Sequence, residues 1–145
     1  MVDLRVIGES HGGLQSPLSE GKVRALGRRM RLGAGQRVLD VGAGTGALTV
    51  LFAKEFGCQI RAVESCAEFV AAGTERARRA GVEELVEYVT CDAAELALEA
   101  EAYDAALCIG AAWVLGGFVK TAEALRATVR PRACLPNVGL PGCDG

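Results

Sequence analysis

Histidine is almost missing from this chain. One occurs, His11, and none of the six cysteines (Cys58, Cys66, Cys91, Cys108, Cys134, Cys143) stands in a Cys-x-x-Cys pair. Zinc sites announce themselves by such short ligand spacings, so a metal centre is not expected, and cysteine reads as a small buried apolar side chain. Charge of one sign is lacking too. Sixteen Lys plus Arg against 18 Asp plus Glu leave a net charge of −2, so no overall field attracts RNA or DNA. No apolar stretch reaches the roughly 18 residues of a membrane span. The longest, Ala105 to Val119, is broken by Gly110, Gly116 and Gly117. The opening residues, MVDLRVIGESHGG, hold no apolar core of signal-peptide length. These absences predict a soluble, cytoplasmic protein that does not associate with membranes. Proline is scarce until the end, where Pro131, Pro136 and Pro141 crowd a segment that also holds Gly139, Gly142 and Gly145. Proline is poorly tolerated in central strands, so residues 131–145 are expected to form a loosely ordered tail, with at most Ala133 to Leu135 pairing with a sheet.

What is present is an alternation of short β-rich runs with helical runs. That pattern predicts an α/β domain over residues 1–130 with a parallel sheet and crossover helices. Strands are expected at Arg37–Val41, Gln59–Val63, Leu85–Thr90 and Tyr103–Ile109. A first helix is expected from about Ser19 to Leu32, with Val23, Leu26, Gly27 and Met30 as its apolar stripe. Its bases Lys22, Arg24, Arg28, Arg29 and Arg31 read as a solvated face rather than an RNA patch. A second helix follows from about Gly46 to Phe56, with Gly57 in the C-cap position. Ser65-Cys-Ala-Glu68 has capping-box spacing and opens a third, which runs to about Ala80. Asp92-Ala-Ala-Glu95 has the look of another cap. Phe118, Ala122, Leu125 and Val129 recur at helical spacing and predict a last helix from Gly117 to Val129.

The stretch VLDVGAGTGALTV, residues 38–50, carries the chemistry. Gly42, Gly44 and Gly46 let the backbone turn sharply and let a ligand approach it closely, and the following helix points N–H groups into the same space. A nucleoside triphosphate loop would end in Gly-Lys-Ser/Thr, and here Ala47 and Leu48 follow Gly46. A dinucleotide loop would place its third glycine one residue later, and its pyrophosphate would be repelled by Asp40. A ligand carrying an amine would be attracted by that carboxylate.

The run Asp40-x-Gly42-x-Gly44-x-Gly46 resembles the first motif of class I S-adenosylmethionine-dependent methyltransferases, and the similarity extends from about Ser16 to Pro131. The resemblance implies a Rossmann-like parallel sheet with helices on both faces. It also implies that Gly42, Ala43, Gly44, Thr45 and Gly46 pack along the cofactor, S-adenosyl-L-methionine, with Asp40 near its amino group. Glu64, at the end of the second strand, matches the family's acid for the ribose hydroxyls, with Ser65 beside it. Cys91-Asp92-Ala93 matches the position that meets the adenine, although an N-cap role alone also explains Asp92. Ile109 would complete the cofactor site at the fourth strand.

Methyl transfer requires placement more than a catalytic residue, so none is assigned. His11, in a segment similar to the lead-in of small-molecule methyltransferases, and Trp113, after the fourth strand, are the candidates for contact with an acceptor. Exposure and core packing, respectively, are the plainer readings of the two. Ile109-Gly-Ala-Ala lacks the Asn/Asp-Pro-Pro-Tyr/Phe run of nucleic-acid amino-methylating members. A small-molecule acceptor is therefore expected. An RNA or protein methyltransferase, or a cofactor-binding module without catalysis, are the alternatives, and a dehydrogenase is a remote one. Members of this family carry a seven-stranded sheet, and the last strands have no counterpart here. The expectation is a truncated fold with impaired activity, as a premature end or shifted reading frame would give, and a fourth strand left at the sheet edge as a route to dimerisation.

Overall fold

A computed structural model of the chain describes residues 19–109 and 115–131. His11, Trp113, Cys134, Cys143 and the segment Ala133 to Leu135 lie outside the described residues. The chain enters through α1 (Glu20–Arg29), whose N-cap Ser19 accepts a hydrogen bond from the Lys22 amide. The stripe inferred from spacing is the packed one: Val23 and Gly27 are buried, with Leu26 and Met30 against the same core. Arg28 and Arg29 fall in the last turn, where they complement the helix dipole.

β1 (Arg37–Val41), β2 (Gln59–Glu64), β3 (Val86–Thr90) and β4 (Ala105–Leu107) form one parallel sheet in the order β3-β2-β1-β4. α2 (Ala47–Phe56) joins β1 to β2, and α3 (Ala67–Arg79) joins β2 to β3. A single 3-10 turn at Ala93–Glu95 lies between β3 and β4, and α4 (Phe118–Thr128) closes the described fold. Register places Asp40 opposite Ala62 and Leu107, and Ala62 opposite Tyr88. Paired residues share a sheet face. On this face Val38, Ile60, Ala105 and Leu107 meet Val23, Val50, Phe52, Ala53 and Ala77 of the helices. The opposite face, with Leu39, Val41 and Val63, packs against Ala93, Tyr103 and, from α4, Leu125. Helices thus cover both faces, as expected for a Rossmann-like fold.

Four local expectations are corrected. The fourth strand is not Tyr103–Ile109 but only Ala105–Leu107, with Tyr103 forming an isolated parallel bridge to Val129. The Ser65–Glu68 capping box does not form: the helix starts one residue later, at N-cap Cys66, and the Ser65 hydroxyl donates to Glu64 instead. The stripe on α4 is turned relative to its sequence pattern, with Phe118 79% exposed, Ala122 exposed, and Thr121 and Thr128 buried. Thr128 is tolerated there because its hydroxyl donates to the Leu125 carbonyl. Of the described cysteines only Cys58 is buried; Cys66, Cys91 and Cys108 are half-buried and all four are free thiols.

The bridge at Tyr103 also bears on the edge. Beyond it Ala105–Leu107 has β1 on one side and no strand on the other among the described residues. Arg130 reinforces the start of that edge, donating to the Glu101 and Ala102 carbonyls and pairing with Asp104 at 3.2 Å. Asp104 in turn accepts the Arg37 amide at the start of β1.

α1 is held by close approach. A Cβ on Gly27 would stand 2.5 Å from Phe56 Cζ and 3.1 Å from Phe52 Cε1, in the T-shaped pair that fills the α1–α2 contact. Gly27→Ala is expected to lower stability by about 1–2 kcal/mol in urea unfolding, the overpacking outweighing the gain in helix propensity.

Candidate cofactor-binding site

The glycine loop hangs from β2. The Gly42 and Ala43 amides both donate to the Val63 carbonyl, at 2.8 and 3.1 Å, and Gly46 donates to Ala43 at 3.2 Å. Gly42, Gly44 and Gly46 all take positive φ, and Gly46, at +80°, is the N-cap of α2 with no side-chain cap of its own. The N–H groups of that first turn therefore face the loop side.

Asp40 lies beneath the loop. It is 4% exposed, and its Oδ2 accepts the Thr49 hydroxyl at 2.7 Å from the first turns of α2. Burial pushes its pKa up to about 6; the Thr49 hydrogen bond opposes this, and the Glu64 charge adds to it. Glu64, half-buried, bridges two elements. One carboxylate oxygen accepts the Gly44 amide at 2.9 Å and the other accepts the Cys66 amide at 3.0 Å, so the same acid holds the loop and the start of α3. The Glu64 carbonyl accepts the Cys91 amide at 3.0 Å, which ties the end of β3 to the end of β2. Next in the chain, Asp92 is exposed and accepts the Ala94 amide at 2.9 Å, capping the 3-10 turn.

The acids anticipated from sequence therefore fall at the C-terminal ends of adjacent strands, where open α/β sheets bind ligands. Asp40 feels the Glu64 charge, whereas the Asp92 cap oxygen is turned to its own backbone. Thr45 and Ala93 are buried, Ser65 is exposed, and Ile109 is partly buried against the main core. No group of three His, Cys, Asp or Glu side chains arranged to hold a metal occurs among the described residues.

Sequence reasoning missed a second layer. The tip of Tyr88, from β3, fills the space between Gly46 and Gly73, where a Cβ on either glycine would overlap its hydroxyl. A Gly46 Cβ would also stand 3.3 Å from the Gly73 Cα, so α2 and α3 approach each other by backbone here. A glycine inside the thirteen-residue helix α3 was the available signal, since Gly costs helices about 1 kcal/mol unless packing requires it.

The chain belongs to a family of methyltransferase domains, whose model, described as "Methyltransferase domain", matches residues 38–132. Among individual proteins it is 34% identical over 125 residues to YjhP of Escherichia coli, covering 86% of this chain and 50% of that protein. Two solved structures align closely. One is a SAM-dependent methyltransferase from Thiobacillus denitrificans in complex with S-adenosyl-L-homocysteine (TM-score 0.83, 31% identity, 90% of this chain and 52% of that one). The other, from Geobacter sulfurreducens with the same ligand, gives TM-score 0.82 and 30% identity over 90% of this chain and 52% of that one. The chain thus spans about half the length of the relatives it matches. No described helix is long and apolar enough to cross a membrane.

Proposed function

We propose that this chain binds S-adenosyl-L-methionine through the glycine loop, Asp40 and Glu64, and that it serves methyl transfer to a small-molecule acceptor. The observation that carries the reading is the buried Asp40 carboxylate beneath an open glycine loop. A carboxylate held almost out of water, with the Thr49 hydroxyl donating to one of its oxygens, has lone pairs left to receive a cationic amine. Binding of homocysteine-containing ligands by structures 31% and 30% identical to this chain supports the same assignment.

When bound, S-adenosylmethionine supplies an electrophilic methyl group on its sulfonium. The chain's own residues bind and orient. Asp40 meets the amine, and the Gly42–Gly46 backbone lets the ligand lie close to the main chain. Glu64 has lone pairs left for the ribose hydroxyls beside those used by Gly44 and Cys66. Asp92 and Ala93 stand where the purine would lie, with Ser65 and Ile109 at the margins. His11 and Trp113 are proposed as acceptor contacts. Against the RNA reading stands the net charge of −2, and on the basic helix Arg24 pairs with Glu20 and Glu55, at 3.3 and 3.0 Å. A cofactor-binding module without catalysis is the second reading.

Calorimetry with S-adenosyl-L-methionine and S-adenosyl-L-homocysteine tests the assignment. Glu64→Ala is expected to weaken binding about 10- to 100-fold, the worth of one or two hydrogen bonds to a charged group. Equal affinity in the variant removes Glu64 from the site; no heat of binding in the unaltered chain removes the proposal. Binding without methylation across an acceptor panel selects the module.

A further inference from the structure

Thr49 touches no ligand in the function proposed above, yet it is the most deeply buried polar side chain among the described residues. Valine has nearly the same shape and would fill that place at lower cost, because a hydroxyl taken out of water needs a partner. Its partner is Asp40. The Thr49 Oγ1 donates to Asp40 Oδ2 at 2.7 Å, the short separation of a hydroxyl bonded to a carboxylate. The fold brings the two together. Gly46 caps α2 at φ +80° straight off the glycine loop, so the third residue of α2 returns to the end of β1, from which the loop departed.

We infer that Thr49 is a positioning residue for the cofactor amine: its hydroxyl holds one oxygen of Asp40, keeping the carboxylate charged and its other oxygen turned to the amine. The inference rests on the cofactor reading above. A hydroxyl has one proton to give, and here it goes to Oδ2, so turning the carboxyl group about its last bond breaks the contact. The same bond favours the anion. It works against burial, which raises the Asp40 pKa most, and against the Glu64 charge, which adds to the rise. The titratable groups that face Asp40 are Glu64 from β2 and the buried Tyr88 from β3, while its register partner on β4, Leu107, is apolar. Tyr88 stays neutral, since burial first and the Asp40 charge next raise its pKa, with Thr49 and Arg76 of α3 opposing. An amine that meets a protonated Asp40 finds no counter-charge. The Thr49 hydroxyl therefore sets how far into acid the site keeps its ligand.

Thr49→Val keeps the volume and removes the donor. In the cofactor-free protein, the carbon-13 signal of the Asp40 carboxyl is expected to titrate about one pH unit higher in the variant, the worth of a hydrogen bond to a charged group. Calorimetry with S-adenosyl-L-homocysteine then finds the variant about 10-fold weaker than the parent at pH 5 and within about threefold of it at pH 7.5. Thr49→Ser keeps the donor and restores both profiles, although its lost methyl lowers the melting temperature. Should the valine chain fail to fold, Thr49→Cys, a weaker donor of similar size, gives a smaller shift in the same direction. A side chain that merely packs changes the melting temperature and moves neither profile. Coincident Asp40 titrations in Thr49→Val and the parent, or a serine variant that titrates like the valine one, overturn the inference. If the parent binds no homocysteine ligand at any pH, the cofactor reading falls, while the carboxyl titration still decides whether Thr49 holds Asp40.

Discussion

Asp40→Asn is expected to make the cofactor-free protein more stable at pH 8 and, on the role proposed for Asp40, to weaken its hold on the cofactor. The sign follows from linkage. Asp40 titrates at about 6 in the fold against an ordinary 3.8, so the folded state takes up the proton more readily than the unfolded chain. Its contribution to stability is fully present below the unfolded value and is lost as pH rises through about 6. Ionised, the side chain opposes folding by about 3 kcal/mol. The carboxamide is neutral at every pH, but its buried N–H₂ has no acceptor assigned to it, so a net gain of about 1–2 kcal/mol is expected at pH 8. Urea unfolding at intervals between pH 4 and pH 8 measures it: the parent loses stability across this range and the variant stays flat. Glu75, held near 2 by hydrogen bonds from Arg78 and then Arg79, loses its contribution only as pH falls below its ordinary 4.5, so it touches the acid end of this range alone. In calorimetry the same variant is expected to lose about 100-fold in cofactor affinity, since a buried amine loses its counter-charge. A variant that is destabilised at pH 8, or that binds as tightly as the parent, rejects this account of Asp40.

Gly46→Ala is expected to disrupt the fold severely. Two penalties coincide at the N-cap of α2. A side chain at φ +80° is strained by about 1–2 kcal/mol, and its Cβ would collide with the Tyr88 hydroxyl and crowd the Gly73 Cα at 3.3 Å. The sum, about 2–5 kcal/mol, is a large share of the stability of an ordinary domain. In a Tyr88→Ala background only the backbone strain and the Gly73 contact remain, so the same substitution should then be milder by 1 kcal/mol or more, a coupling a double-mutant cycle reads directly. Equal effects in both backgrounds refute the slot.

β1 was legible to the residue, because Val38, Leu39 and Val41 make a short β-rich run between Gly35 and Gly42, too short to be a helix. The helices α1 and α2 were legible because glycines and caps mark their ends. The far end of the sheet was not. β4 contracts to Ala105–Leu107, since its pairing depends on β1 and on a bridge to Val129 that no local pattern encodes. Phe118 looked like core by spacing, yet spacing reports a face and not what the face meets. In the site, residue types at the strand ends pointed to Asp40, Glu64 and Asp92. What those types could not reveal is how each acid is engaged: Asp40 by Thr49, Glu64 by the Gly44 and Cys66 amides, and Asp92 by its own turn. Tyr88 and Gly73 escaped notice because a phenol in a strand and a glycine in a helix are meaningful only when brought together.

The Arg130 clamp has a consequence for how the chain assembles. Its contacts reach back 26 to 29 residues, to Asp104, Ala102 and Glu101, and they secure the entry to the shortest strand of the sheet. β1, β2 and β3, with the helices between them, can dock using residues that precede Cys91. β4 gains its last anchor only after everything through Arg130 has been synthesised, so the side of the sheet nearest α4 is laid down late.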